Sequence, residues 1–447
     1  MDSQKRRVAE SEDAKFSLGG ATLYGINAVI GSGIFLLPQS IYKGLGPASI
    51  AVMAATAILT IMLAVCFAEV AGYFGKNGGA FQYSKRAFGD FIGFNVGILG
   101  WAVTIFAWAA MAAGFAKMFI ITFPALEGWN VPLSIGLVIL LSLMNIAGLK
   151  TSKILTITAT IAKLIPIVAF SACTLFFFKN GLGNFTPFLQ LQAGDHLFSA
   201  ISGTAVYIFY GFIGFETLSI VAGEMRNPQK NVPRAILTSI TIVSILYMLI
   251  ISGTIAMLGG AIMSTKAPVQ DAFVKMIGPA GAWLVSIGAL ISITGLNMGE
   301  SIMVPRYGAA IADEGLLPAF IAKQNKNAAP TVAIAISSGI AIVLLLTGTF
   351  EKLATLSVVF RFFQYIPTAL AVIKMRKLEP KAQLTFRVPF GSVIPIVAVV
   401  ISLLMIIGDN VMNEVYGLIG VAIASTIYFF MHGRKDSSRK VRHHDVQ

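Results

Sequence analysis

Apolar runs of about 20 residues follow one another from Phe16 to Met431, separated by short polar stretches. Each is long enough to cross a hydrocarbon core of about 30 Å as a helix. The pattern predicts twelve spans. The first six lie near 16–42, 47–73, 90–122, 131–149, 152–178 and 196–223. The second six lie near 234–260, 271–304, 331–349, 352–375, 391–409 and 412–431. All are expected to be helical, because a lipid-facing backbone must satisfy its own hydrogen bonds and no stretch alternates as a barrel strand does.

Composition agrees with the pattern. Of 447 residues, 56% are hydrophobic and 12% charged, about half the charge of a soluble globular chain. The mean hydropathy is +0.80. A net charge of +13 would fit a nucleic-acid binder, but its distribution argues otherwise. With the N-terminus in the cytoplasm, that terminus, the even-numbered loops and the C-terminal tail hold 25 of the 33 Lys and Arg residues. The odd-numbered loops hold six: Lys43, Lys117, Lys179, Lys266, Lys275 and Lys352. Lys163 and Arg361 fall inside spans. This is the positive-inside bias that orients membrane proteins, so both termini are expected in the cytoplasm and nucleic acid is not expected as a partner. Cys66 and Cys173 both lie in apolar spans, which gives no disulfide framework. The four histidines (His196, His432, His443 and His444) lie where no buried metal site can form. The first apolar stretch has the length of a true span with no small-residue cleavage pattern after it, so no cleavable signal is expected.

Two spans are interrupted. The first carries Gly31-Ser32-Gly33 near its middle, with Pro38 beyond; the sixth carries Gly211 and Gly214 between Tyr210 and Glu216. Such small residues serve close helix packing equally well. Their separation adds to the reading: the sixth span repeats the first five spans later, and five being odd, a second copy runs in the opposite direction. That is the inverted-repeat arrangement in which two discontinuous helices build a midplane site. The expected organisation is an all-α integral membrane protein with a cytoplasmic segment over 1–15 and five-helix repeats over 16–178 and 196–375. Two further helices span 391–431, and a basic cytoplasmic tail spans 432–447.

An unwound stretch exposes amides at the start of one half-helix and carbonyls at the end of the other. The amides attract a carboxylate, and the carbonyls accept from an ammonium. A zwitterionic amino acid carries both groups. Ionisable residues inside spans are costly and are candidates for function. Lys163 lies about nine residues into the fifth span, with Thr156 and Thr160 at helical spacing before it. A desolvated amine can shed its proton, which suits proton coupling; the alternative is that it snorkels to the cytoplasmic face. Glu216 either serves the site or caps the second half of the sixth span. Glu300, one turn after Asn297, either faces the substrate path or neutralises a neighbour such as Arg306. Arg361 is expected to pair with a carboxylate or carbonyls, and Glu69 to be structural. Trp101, Trp108 and Tyr207 are candidates for gating or for packing.

Four segments together resemble the amino acid–polyamine–organocation transporter superfamily over nearly the whole chain. They are GINAVIGSGIFLLP at 25–38, GKNGGAFQYSKRAFG at 75–89, GFIGFETLSIVAGEMRNPQKNVPRAI at 211–236 and PRYGAAIADEGLLP at 305–318. The resemblance implies two inverted five-helix repeats working by alternating access, with amino acids or their amine derivatives moved by proton symport or exchange. It implies that the substrate backbone meets Gly31, Ser32 and Gly33 and the segment Tyr210, Gly211, Phe212 to Gly214. Tyr210 stands where arginine/agmatine antiporters of the superfamily have a gating tryptophan, which argues against an arginine-specific reading. Glu216 matches those antiporters' glutamate. Lys163, within AKLIP, resembles the lysine that bacterial members and alanine–serine–cysteine exchangers use in place of a sodium ion. Counting back from Pro124 brings Thr104 and Trp108 near the side-chain pocket.

The apolar lining of Ala28, Ile30, Phe212 and Phe215 favours a neutral or aliphatic amino acid, while Glu300 keeps an amine or cationic substrate open. The expected function is secondary transport of an amino acid; the alternative is a decarboxylase-linked antiporter exchanging an amino acid for its amine. A channel would need a wider polar lining. An enzyme would need a nucleophile–base pair or a metal cluster, and the sequence offers neither. A light chain needing a glycoprotein partner would be expected to carry a lone cysteine in an outer loop. A pure sensor remains the other class. No cofactor or metal is expected; the expected partners are a small-molecule substrate, protons as a candidate co-substrate, and membrane lipid.

Overall fold

The computed structural model describes residues 16–74, 79–148, 153–192, 194, 196–220, 225–408 and 410–444, with side chains described outside 153–159, 220 and 432–444. Segment 1–15, residues 75–78 and 221–224 of two motifs, the Thr156 side chain and the side chains of the basic tail therefore lie outside the described residues. Those described form helices and two isolated bridges, with no strand.

The first expected span is three pieces: α1 (Leu18–Val29), the single turn α2 (Gly33–Leu36) and α3 (Pro38–Leu45). Ser17 caps α1 by accepting from the Gly20 amide, and Pro38 starts α3 at a position where its missing N–H costs nothing. Next come α4 (Ser49–Gly72), α5 (Ala80–Phe88), α6 (Asp90–Thr122), α7 (Asn130–Ile146) and α8 (Lys153–Phe177). The sixth span is α9 (Leu197–Tyr210), a turn over 211–216 and α10 (Thr217–Ile220). The remainder is α11 (Pro228–Leu258), α12 (Pro268–Ile277), α13 (Pro279–Asp313), α14 (Thr331–Thr347), α15 (Phe350–Leu378), α16 (Val393–Gly408) and α17 (Val411–His444).

Seven of these stretches are long and apolar enough to cross a membrane, and four shorter apolar helices accompany them. Large apolar side chains face outward along them, such as Phe176 (82% exposed), Leu346 and Leu418. Lys163, Glu216, Asn297 and Arg361 point inward. That inversion of the usual soluble pattern is what a lipid solvent selects. The protein is an all-α membrane protein.

Two expectations about elements change. The eighth span, expected as one run near 271–304, is split at Gly278, whose φ of +79° ends α12 before Pro279 opens α13. Apolar residues continue through the split, so hydropathy alone does not register it. The stretch after the second span, read as a loop, contains the amphipathic α5, which buries Phe81, Tyr83 and Ala87.

Helix α15 packs most extensively on α6 and is tied to α4 by a buried ion pair. Glu69 is fully buried. Its two oxygens accept from Arg376 Nε and Nη2 at 2.6 Å each and from the Val388 amide at 2.5 Å. Removing one partner of such a pair leaves a buried, uncompensated charge, which costs about 3 kcal/mol. Glu69→Ala should therefore lower the melting temperature of the purified protein in detergent, with loss of about 3 kcal/mol. A change within about 0.5 kcal/mol would show the pair to be dispensable.

Candidate functional site

The break in the first span leaves the last carbonyls of α1 without intrahelical donors. Three of them find side chains. Lys163 Nζ donates to Asn27 O at 2.7 Å and to Ile30 O at 2.9 Å. Tyr247 of α11 donates to Gly211 O at 2.9 Å and lies 3.5 Å from Val29 O. The fourth, Ala28 O, lies against Gly214 of the other break: a Cβ added there would sit 2.3 Å from that oxygen. Gly214 also has φ +118°, a backbone that side chains other than glycine's rarely accept.

Lys163 is 1% exposed, so it does not snorkel; its ammonium sits at the C-terminal end of α1, where the helix dipole favours a cation. Beyond the break, Phe35 is the first residue to donate back into the second half, to Ser32 O at 3.2 Å. The amides of Gly31, Ser32 and Gly33 thus precede the first bonded turn.

The two breaks touch. Ser32 Oγ and Tyr210 OH are 3.2 Å apart. A Cβ on Gly33 would lie 3.1 Å from the Tyr210 ring and 3.3 Å from the Gly211 Cα. Ile30 and Phe212 are fully buried, Ala28 and Gly31 partly so. Leu296 of α13 lies against Gly31. One residue on, Asn297 donates to Met111 O of α6 (3.2 Å) and Ile293 O (2.8 Å), while its Oδ1 has no partner among the described residues. The Nε1 of fully buried Trp108 likewise has none.

Around Glu216 a polar cluster closes the sixth-span turn. Its Oε2 accepts from the Gly214 amide (3.0 Å) and the Tyr365 hydroxyl (2.7 Å), and its Oε1 pairs with Arg361 Nη1 at 2.9 Å. Arg361 also reaches Gln364 (3.4 Å), which donates to the Tyr307 hydroxyl (3.3 Å). Glu300 has no hydrogen bond or ion pair among the described residues, but it lies within electrostatic range of Arg361, Glu216 and Tyr210. Arg306, considered as its neighbour, points outward and is exposed.

The structure brings Ile30, Ser32, Gly33, Tyr210, Gly211, Gly214, Lys163 and Glu216 together. Thr104 instead turns onto its own helix, donating to Trp101 O at 2.7 Å. On α6 it is Gly114 that meets the first break, against Ser32, roughly 15 Å along the helix from Thr104 at 1.5 Å per residue. Trp101 bonds Ser337 at 3.1 Å and packs α6 on α14. Tyr207 is half-buried one turn before Tyr210. Tyr247, Tyr365 and Gly114 were not singled out from the sequence. Lone tyrosines and glycines in apolar runs carry no pattern that separates them from packing residues.

A family model described as amino acid permease matches residues 16–431. The chain belongs to this family. As a permease of the amino acid–polyamine–organocation superfamily it is 29% identical to an uncharacterized transporter of Mycobacterium tuberculosis, over 87% of this chain and 86% of the other. It is 28% identical to the serine/threonine exchanger SteT of Bacillus subtilis, over 92% and 95% of the two chains. It is 26% identical to the branched-chain amino acid permease BcaP of the same organism, over 93% and 92%. These relatives are named as transporters, an exchanger and a permease, not as enzymes.

The permease's two breaks depend on glycine at 214. Gly214→Leu forces a side chain into the Ala28 carbonyl, so the breaks must separate. We expect loss of saturable binding of any amino acid that the wild type binds, read by scintillation proximity on purified protein. Unchanged affinity would mean the turn at 211–216 serves packing alone.

Proposed function

We propose that this permease is a secondary active transporter that moves amino acids, neutral or aliphatic ones foremost, by alternating access. It would work in the cell membrane with both termini in the cytoplasm and the two interrupted helices belonging to inverted five-helix repeats. The observation that carries the reading is the meeting of the two breaks at Ser32–Gly33 and Tyr210–Gly211. There the amides of Gly31 to Gly33 would hold the substrate carboxylate, and the carbonyls of the Tyr210–Gly214 segment its ammonium. Trp108 Nε1 and Asn297 Oδ1 are buried polar atoms with no partner among the described residues, a costly condition that a polar cargo or water relieves.

Charge supports a neutral cargo. Two basic residues, Lys163 and Arg361, and two acidic ones, Glu216 and Glu300, lie around the breaks, and a zwitterion leaves their balance unchanged. A cationic cargo would add an uncompensated buried charge, which is expensive at low dielectric. Lys163 is the coupling group in this reading. Loss of its proton weakens the charge-assisted bonds to Asn27 O and Ile30 O, since such bonds are about twice as strong as neutral ones. The second reading, exchange of an amino acid for its amine, is favoured by one observation: Glu300 has no ion pair among the described residues, so an amine could supply one.

The test is uptake of a panel of labelled amino acids and amines into proteoliposomes, with an imposed pH gradient or with unlabelled substrate inside. Gradient-driven uptake of a neutral amino acid supports symport; uptake only into preloaded vesicles makes the protein an exchanger. The best preload then separates amino acid from amine. Lys163→Ala should abolish gradient-driven uptake or flatten its pH dependence while the protein stays folded. Normal transport by that variant between about pH 5 and 8 removes Lys163 from coupling.

A further inference from the structure

Beside the breaks, on the side where α6 ends and α15 begins, lies a second assembly of charged and aromatic groups. Lys117 sits five residues before the end of α6, and Glu351 is the second residue of α15. Thr349 caps α15 by accepting from the Lys352 amide, and Glu351 in the first turn faces the positive end of the helix dipole. Lys117 Nζ and Glu351 Oε1 are 2.5 Å apart. The same ammonium lies 5.7 Å from the centre of the Phe350 ring, within cation–π range. Phe350 is 3% exposed and meets the Tyr210 ring edge-on, with centroids 5.8 Å apart at 82°. Tyr210 in turn touches Ser32. An unbroken chain of contacts thus runs from a surface ion pair to the junction of the two breaks.

We infer that Phe350 is a lid over the Ser32–Tyr210 junction and that the Lys117–Glu351 pair is its latch, holding the outer route to the site shut. The reason is one of strength as well as place. The two side chains of the latch keep 28% and 30% of their exposure, so water and salt weaken the pair. Release of the pair frees the Phe350 ring to swing off Tyr210. In the orientation proposed above, the end of α6 and the start of α15 face the outside. Lysine and glutamate on separate helices give no sequence signal of pairing, because they stand 234 positions apart in the chain.

The inference rests on the alternating-access reading, but its test uses no substrate and so fails independently of the binding test on Gly214→Leu. In cells expressing Ser32→Cys in a Cys66→Ala/Cys173→Ala background, a charged, membrane-impermeant methanethiosulfonate is added outside and the labelling rate measured. Lys117→Met and Glu351→Gln should each label about fivefold faster, equivalent to ~1 kcal/mol. The exchanged pair Lys117→Glu with Glu351→Lys should return the rate to that of the background. Singles that label at the background rate, or an exchanged pair as fast as the singles, overturn the latch. Should a charge variant fail to reach the membrane, Phe350→Leu decides: it should show the same acceleration, and an unchanged rate removes the lid.

Discussion

The carbonyls at the end of α1 govern the arrangement around them. A helix that stops in the middle of a membrane protein leaves acceptors without intrahelical donors, and these must be met by protein or by water in a cavity. Lys163 meets two of them, Tyr247 lies beside a third, and Ala28 O is covered by Gly214. One consequence is that α8, α11 and the sixth-span turn must all converge on one point. Another is that a titratable amine is built into the support of the break itself. In the proposed transport cycle, a proton leaving Lys163 acts on the geometry of the break directly, with no relay in between.

The second break is satisfied differently. Its turn is tied by a carboxylate: Glu216 accepts from the Gly214 amide and carries that bond onward to Tyr365 and Arg361. Both options weighed for Glu216 from the sequence, support of the broken helix and a place beside the site, describe the same position. The contact between the breaks is tight at 33 against 211 and closed to any side chain at 214 against Ala28 O. Only at 214 does backbone conformation add a second reason.

Hydropathy made nearly every long helix legible, because lipid imposes one requirement on every outward face. It failed where that requirement is satisfied by both alternatives: the apolar run across Gly278 reads the same whether one helix or two. It failed also for α5, whose period is amphipathic and too short to cross a membrane. At the site, Gly31 to Gly33, Gly211, Gly214, Lys163 and Glu216 were legible because glycine clusters and charges are rare in apolar spans. Tyr247 and Tyr365 were not, since a tyrosine's role here depends on which carbonyl or carboxylate folding brings to its hydroxyl. Counting along α6 from Pro124 does not fix which residue meets the break, and the contact with Ser32 falls at Gly114.

Helix α15 shows how charge is graded through the molecule. It carries ion pairs at residues 351, 361 and 376, near one end, in the middle and near the other end of a helix about 43 Å long at 1.5 Å per residue. The pair at Glu69 has a fully buried carboxylate with three donors, and the central pair is enclosed on both partners. Breaking either leaves a charge stranded in a low-dielectric interior, so neither can part without heavy cost. Only Lys117–Glu351 keeps both partners in reach of water, where each can be solvated alone once they separate. The gradient of burial along one helix therefore places its most easily released pair at the partly hydrated end, while the other two pairs hold α15 to α4 and to the sixth-span turn.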